Sequence, residues 1–235
     1  MSAQIRFLFF SLILLPIAAY FVGEPPNPLQ WNLLTRSLYI MGAAIAYSFI
    51  VGQLSGNYSQ VDKLWSILPV VYVWYFTLAS GGHQRMILLS LLVTLWGARL
   101  TYNFGRKGAY QWKFWAGEED YRWKILRERP GFRKPWVWLL FNLFFICIYQ
   151  HTLIWMITLP ILGSLSADSL PLYWADYLLA FLFCVFLVLE TIADQQQFNF
   201  QTEKHRRIQQ GEPLGEYASG FVSSGLWAYV RHPNY

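Results

Sequence analysis

Residues 178–201 read Leu178-Leu179-Ala180-Phe181-Leu182-Phe183-Cys184-Val185-Phe186-Leu187-Val188-Leu189-Glu190-Thr191-Ile192-Ala193-Asp194-Gln195-Gln196-Gln197-Phe198-Asn199-Phe200-Gln201. The stretch opens with twelve apolar residues in succession. A helix with a watery side would break such a run with polar residues every third or fourth position, so this one is apolar all round, as in lipid or a deep core. The whole run, about 173–195, is long enough to cross the roughly 30 Å hydrocarbon layer of a bilayer as a helix. At its end Glu190, Asp194, Gln197 and Gln201 follow i, i+4, i+7, i+11 and therefore share one helix face. Polar groups at membrane depth are expensive, so each needs a partner or a task.

Five more apolar runs precede it, at about 5–22, 36–55, 62–80, 86–104 and 136–160. Over the 235 residues, hydrophobic types make up 55%, charged types 13% and aromatics 19%. Soluble domains carry about a quarter charged residues, and disordered chains carry little hydrophobicity, so both classes are excluded. The expectation is an all-α, polytopic transmembrane bundle with six helices before a C-terminal motif segment. Its first part, 1–60, supplies two helices and its core covers 61–235. The first run has some features of a signal peptide, with Arg6 ahead of Phe7–Leu15, but its apolar stretch continues to Val22 without a clear cleavage site, which favours an uncleaved anchor. Cys147 and Cys184 both lie inside apolar runs and read as buried thiols, not a disulfide framework.

The net charge is +5. In a soluble chain that would raise the question of nucleic acid. Here the bases sit in loops between apolar runs, so the partner is the bilayer and no nucleic acid is expected. With the N-terminus inside, fifteen Lys and Arg fall on the inner side, Arg36 and Arg85 on the outer, and Arg99 within a run. That asymmetry predicts a cytoplasmic N-terminus in a bacterial inner membrane or the endoplasmic reticulum. Residues 105–135 hold 13 of the 31 charged side chains. Within them Glu118-Glu119-Asp120 precede Tyr121–Arg129, with acids first and bases last, which predicts a short interfacial helix. Pairs at i,i+4 are expected between Glu118 and Arg122 and between Asp120 and Lys124. Trp112, Trp115, Trp123 and Trp136 are expected at headgroup depth. A second polar loop is expected over about 197–225.

Three further polar sets stand out. Trp96, Arg99 and Asn103 share a face of the fourth run; Arg99 could snorkel to headgroups or pair with a buried acid. Gln150 and His151 lie mid-span, where a histidine most often serves as interhelical hydrogen-bond glue. Glu190 and Asp194 would repel unless cations lie near; Lys204, Arg206 and Arg207 are the nearest in sequence. The chain's last residues, Arg231-His232-Pro233-Asn234-Tyr235, bring a guanidinium, an imidazole, a carboxamide and a phenol together. Arg231 suits a phosphate or carboxylate, and His232 and Tyr235 can move protons. The bland alternative is a loop with a turn. Because the cluster is cut off at Tyr235, further helices are expected beyond it.

Val61-Asp62-Lys63-Leu64-Trp65-Ser66-Ile67-Leu68-Pro69, Leu95-Trp96-Gly97-Ala98-Arg99-Leu100-Thr101-Tyr102-Asn103, Glu119-Asp120-Tyr121-Arg122-Trp123, Glu190-x-x-Ala193-Asp194-Gln195-Gln196 and Gly225-Leu226-Trp227 leading to Arg231-His232-Pro233-Asn234-Tyr235 together resemble multi-span membrane proteins related to the steroid 5-alpha-reductase C-terminal domain. The resemblance runs from about residue 60 to the end. It implies a helical bundle with a cytosolic-side pocket for NADPH (or NADH) and a lipid-facing entrance for a lipophilic, sterol-like or isoprenoid substrate whose carbon–carbon double bond is reduced. It also implies that Asp194, with Glu190, contacts the cofactor, and that Arg231, His232, Asn234 and Tyr235 line its pocket. The steroid reductases carry arginines on the turns after the helix acid. Phe198 and Gln201 stand here instead, which moves phosphate binding to Lys204, Arg206, Arg207 or Arg231.

No glycine-rich dinucleotide fingerprint occurs, so side chains of the bundle would have to hold a dinucleotide. Reducing an enone needs a donor for the developing enolate oxygen; His232, Tyr235 and an upstream tyrosine such as Tyr102 all remain open. Arg99, Asn103 and His151 are expected at the substrate side or as structural polar groups. Arg-His-Pro-x-Tyr also occurs in isoprenylcysteine carboxyl methyltransferases, so an S-adenosylmethionine-dependent methyltransferase is a second reading and a non-enzymatic lipid-binding protein a third. His83, His151, His205 and His232 lack metal-ligand spacing. The oligomeric state stays open.

Overall fold

The computed structural model describes residues 9–23, 25–167 and 171–234. Tyr235, one of the expected proton donors, lies outside them. The described residues are helical throughout, joined by turns. A π-helical turn at Phe10–Leu14 leads into α1, Leu15–Val22, the described part of the first run. Next comes α2, Pro28–Ser55, which begins before the expected 36. Asn27 fixes that start. Its side chain accepts from the Gln30 N–H at 2.8 Å, and the Gln30 side chain accepts from the Asn27 N–H at 2.8 Å, while Pro28 takes a position whose N–H would have no helical partner.

The third run does not form one helix. It breaks into α3, Gln60–Leu64, and α4, Leu68–Ala79. Pro69 starts α4 because it has no N–H to continue a helix from behind. At 12 residues, α4 rises only about 18 Å, which is short of the bilayer core. Then follow α5, Gln84–Gly105; α6, Tyr121–Glu128; α7, Pro135–Leu165, π-helical over Asn142–Tyr149; and α8, Trp174–Gln210. Among the described residues four helices, α2, α5, α7 and α8, are long and apolar enough to cross a membrane. The second polar loop is a correction: residues 197–210 continue α8. Glu203 bonds Arg206 and Arg207 one turn on, at 2.8 and 2.7 Å, and the turn ends at Gly211 with φ +68°.

The core lies between α2, α4 and α7, where Tyr72, Phe76, Ile146 and Ile154 are fully buried. Helix α8 stands at the edge of the bundle, against α5 and the chain's last turns. Two ion-pair clasps hold it. Arg85 grips Asp176 with two bonds of 2.9 Å, and Arg99 grips Glu190 and Asp194. Arg85 to Arg99 is 14 residues, and so is Asp176 to Glu190. The two helices therefore run parallel and in step, with the clasps about 21 Å apart.

Residues 105–135 form a built cap, not a loose loop. Lys63 is buried and its ammonium donates to the carbonyls of Phe114 at 3.1 Å and Ala116 at 2.5 Å. Tyr110 donates to the Lys63 carbonyl at 2.8 Å, and Glu119 accepts from the Tyr58 N–H at 2.9 Å. The expected interfacial helix is α6, but its expected i,i+4 pairs are replaced. Asp120 caps α6 and pairs with Arg122 at 2.7 Å, and Glu119 pairs with Arg127 at 2.5 Å. Trp112, Trp115 and Trp136 are exposed. Trp123 instead turns inward and donates to Asp62 Oδ2 at 3.1 Å. Its ring also meets that of Phe141 of α7 edge-on, with 6.4 Å between centroids, so this face of α6 packs against both α3 and α7.

Burial pushes the Asp62 carboxyl above its usual range, and the bonds from Ser59 and Trp123 only partly oppose this. A folded-state pKa raised above the unfolded one means that the folded chain holds a proton longer, so stability falls as pH rises from the ordinary carboxylate value to the raised one and stays lower above it. Asp62→Asn keeps an acceptor for Trp123 and removes the charge. Its melting temperature in detergent is expected to exceed wild type at neutral pH and to match it at the acid end of that window. Asp62→Leu, which strands the indole N–H, is expected to lose about 1–3 kcal/mol. A lower melting temperature for Asp62→Asn at neutral pH would show that the charge itself is held favourably.

Candidate functional site

The polar stripe of α8 and the polar face of α5 meet at the end of the bundle that carries the basic segments. Arg99 Nη2 lies 3.1 Å from Glu190 Oε2, and its Nη1 lies 3.0 Å from Asp194 Oδ2. Of the two fates open to Arg99, the ion pair is the one it takes. The cation that relieves the two acids is on α5, not among Lys204, Arg206 and Arg207. The face extends one turn further than the sequence reading took it. Arg106, three residues past Asn103, donates to Asn103 Oδ1 at 2.8 Å, to Gln195 Oε1 at 2.7 Å and to the Asp194 carbonyl at 3.1 Å. Its guanidinium also sits 4.1 Å from the centroid of the Phe198 ring. The i,i+3 step from Asn103 was the signal for it.

The chain's last segment folds back onto the same stripe. Trp227 donates its indole N–H to the Ala193 carbonyl at 3.1 Å, the Leu226 N–H donates to Gln196 Oε1 at 3.1 Å, and Asn234 Nδ2 donates to Asp194 Oδ1 at 2.9 Å. Gly225 permits the approach. Its φ is +62°, and a Cβ there would lie 2.5 Å from the Gln196 side chain. Asp194 is therefore the junction, receiving Arg99 on one carboxylate oxygen and Asn234 on the other.

Two cavities flank this junction. One, of about 620 Å³, is lined by Asn103, Lys107, Asp194, Gln197, Gln201 and Asn234, among others. The second, of about 490 Å³, is lined by Gln197, Trp227, Arg231 and His232, with Phe221–Ser223. Gln197 belongs to both walls. Two buried acceptors at this place, Gln197 Oε1 and Asn234 Oδ1, have no hydrogen-bond partner in the protein. A buried acceptor left open costs of the order of 1–3 kcal/mol.

Arg206 and Arg207 do not stand ready for a ligand phosphate. Arg206 is bonded to Glu203, Glu212 and Gln210, and Arg207 to Glu203 and the Pro213 carbonyl. The cations facing the cavities are Lys107 and Arg231, with Arg206 also at the edge of the larger one. His151 lies away from the site, fully buried between α7 and α2. Its Nδ1 meets the Cys147 carbonyl at 2.8 Å and must therefore carry the proton, while Nε2 meets Ser48 Oγ at 3.3 Å. Neighbouring Gln150 accepts from Trp65 Nε1 at 3.0 Å. Both are interhelical glue. Among the described residues no three His, Cys, Asp or Glu side chains gather to hold a metal ion.

Four apolar membrane-length helices with an acid–arginine junction between two cavities at one end define a helical membrane protein with a polar site at the mouth of its bundle. The chain belongs to the family described as Protein of unknown function (DUF1295), which matches residues 48–235. It is also similar to the Schizosaccharomyces pombe protein named Uncharacterized protein C594.04c, with 34% identity over 207 residues, covering 80% of this chain and 58% of that protein. The chain thus spans a little over half the length of the curated relative it matches. No solved structure matches it.

Proposed function

We propose that the chain is a membrane-embedded reductase that uses NADPH or NADH to reduce a carbon–carbon double bond in a lipophilic substrate, with its N-terminus and basic segments on the cytoplasmic side. The observation that carries this is the pair of unpartnered acceptors, Gln197 Oε1 and Asn234 Oδ1, on two residues that line the larger cavity, Gln197 lining the smaller one as well. Their chemistry fits a dinucleotide, whose ribose hydroxyls and carboxamide are donors, and Lys107 and Arg231 can offset its phosphates. Arg206 and Arg207 are poorer candidates for that task, because internal acids hold both. The bound nicotinamide supplies the hydride. The chain's own work is to hold it through Asp194, Asn234 and Gln197, and to deliver a proton from the His232 imidazole to the oxygen of a reacting enone. The orientation rests on the fifteen-to-two distribution of basic residues.

The test is thermal unfolding of the purified protein in detergent with NADPH, NADH or S-adenosylmethionine at millimolar concentration. Protection by a reduced nicotinamide is expected, together with its loss in Lys107→Ala and Arg231→Ala. Each variant is expected to weaken affinity about tenfold or more, since a hydrogen bond to a charged group contributes about 1.5–3 kcal/mol. Protection by S-adenosylmethionine alone would make the chain a methyltransferase. Protection by none of the three would leave lipid binding without catalysis.

A further inference from the structure

A third cavity lies away from the polar site, within the apolar part of the bundle. It has a volume of about 240 Å³ and is walled by Pro69 and Val73 of α4, Leu89, Val93 and Trp96 of α5, and the end of α7 at Ile157–Ile161. Pro160 marks the place where α7 gives way to 3-10 geometry over Leu159–Ala167. Thr158 brings the one hydroxyl on the wall, and it already donates to the Trp155 carbonyl at 2.7 Å. Apart from that hydroxyl and the Trp96 indole N–H, the side chains of the wall offer hydrocarbon and ring faces.

The position of this cavity on α5 links it to the polar site. Leu89, Val93 and Trp96 follow i, i+4, i+7, and Arg99 and Asn103 continue along the same side of the helix. Asn103 borders the larger polar cavity. Trp96 and Asn103 are seven residues apart, about 10 Å along the helix axis. A ligand with its tail beside Val93 would have to extend about that distance further along α5 to bring its head to the larger polar cavity.

We propose that this cavity holds the hydrocarbon tail of the substrate, a single flexible chain, acyl or prenyl, that threads in end first. At about 30 Å³ for each water-sized group, 240 Å³ takes about eight carbons. The fused rings of a sterol need about twice that room and would stay outside it; the flexible side chain of a sterol would not, so a cholesterol probe is the counterpart that decides between the two. The inference rests on the reductase reading for what happens to the head of the lipid, and its test is separable from that reading.

The probe is a farnesol-length prenol with a diazirine at its tail, photolysed with the full chain in lipid nanodiscs, with a diazirine-bearing cholesterol as its counterpart. The prenol is expected to label peptides carrying Val93, Trp96 or Ile161, and excess palmitate, but not cholesterol, is expected to compete. Val93→Trp, which fills the cavity, is expected to cut labelling about tenfold. Leu91→Trp, on an exposed position of the same helix, is expected to leave it unchanged. Ile161→Phe fills the cavity from the α7 side should Val93→Trp fail to fold. Equal loss in Leu91→Trp, labelling spread over exposed faces, or stronger labelling by the cholesterol probe would overturn the proposal. Nucleotide protection is measured on the wild type alone. Labelling without nucleotide protection would sink the reductase reading and leave the chain site standing.

Discussion

Arg99→Met is expected to cost the protein about 3–5 kcal/mol, because it strands two carboxylates a turn apart with no cation between them. The side chains of Arg99 and Asp194 are each 10% exposed and that of Glu190 21%, so water screens them little. The desolvation of three charged groups is already severe, and only their mutual contact offsets it. Taking away the single cation turns a compensated cluster into a repelling pair. Removing all the charge should therefore be far milder than removing one part. Arg99→Met with Glu190→Leu and Asp194→Asn is expected to recover most of the loss, with Asn at 194 still accepting from Asn234. Denaturant unfolding in detergent reads both. A single-variant loss below about 1 kcal/mol would mean that the groups are solvated like surface ion pairs. The triple variant is also expected to abolish nucleotide protection even though it folds, since it empties the junction of charge.

The same junction shows what could be read in the sequence and what could not. The i, i+4, i+7, i+11 spacing of Glu190, Asp194, Gln197 and Gln201 fixed a common face, because helical periodicity is a local property. Arg99 was legible as a polar residue out of place, but its partner was not, since pairing depends on which helices become neighbours. The 14-residue match between Arg85–Arg99 and Asp176–Glu190 was present in the sequence and becomes meaningful only once α5 and α8 are known to run parallel. The length of α8 is hard to read from sequence for a different reason. Residues 197–210 are polar, and polarity alone reads as a loop, although Glu203, Arg206 and Arg207 at helical spacing stabilise a helix outside lipid as well as inside it. Residue type alone puts Trp123 at the headgroups. Its burial follows from Asp62, an acceptor 61 residues away in the chain. The terminal cluster around Arg231 and His232 was legible as chemistry; that it folds back onto Ala193, Asp194 and Gln196 was not, because those bonds join residues 30 to 40 apart.

Gly117→Ala is the second substitution expected to have a large effect, although it touches neither cavity. Gly117 has φ +110°, a conformation that L side chains rarely adopt. A Cβ added there would lie 2.2 Å from the Ala109 carbonyl oxygen and 2.9 Å from its carbon. Both obstacles are backbone and cannot swing aside. The turn is also anchored from outside the cap and within it: Asn57 Nδ2 donates to the Gly117 carbonyl at 2.9 Å, and the Glu118 N–H donates to the Gly108 carbonyl at 3.1 Å. Relief of the clash must therefore displace the segment whose Phe114 and Ala116 carbonyls hold Lys63. Strain of about 1–3 kcal/mol for the backbone conformation adds to the loss of those bonds, so the cap over α3 is expected to open and become susceptible to protease between residues 105 and 120. Gly108→Ala is the control. Its φ is +86°, but a Cβ there would meet only the Glu118 side chain, at 3.2 Å, which can move. It should show the conformational cost alone and keep the cap closed. Limited proteolysis in detergent separates the two. Equal resistance of Gly117→Ala and Gly108→Ala would show that the Ala109 carbonyl can give way, and that the cap is held by its side-chain bonds and not by the close passage of its backbone.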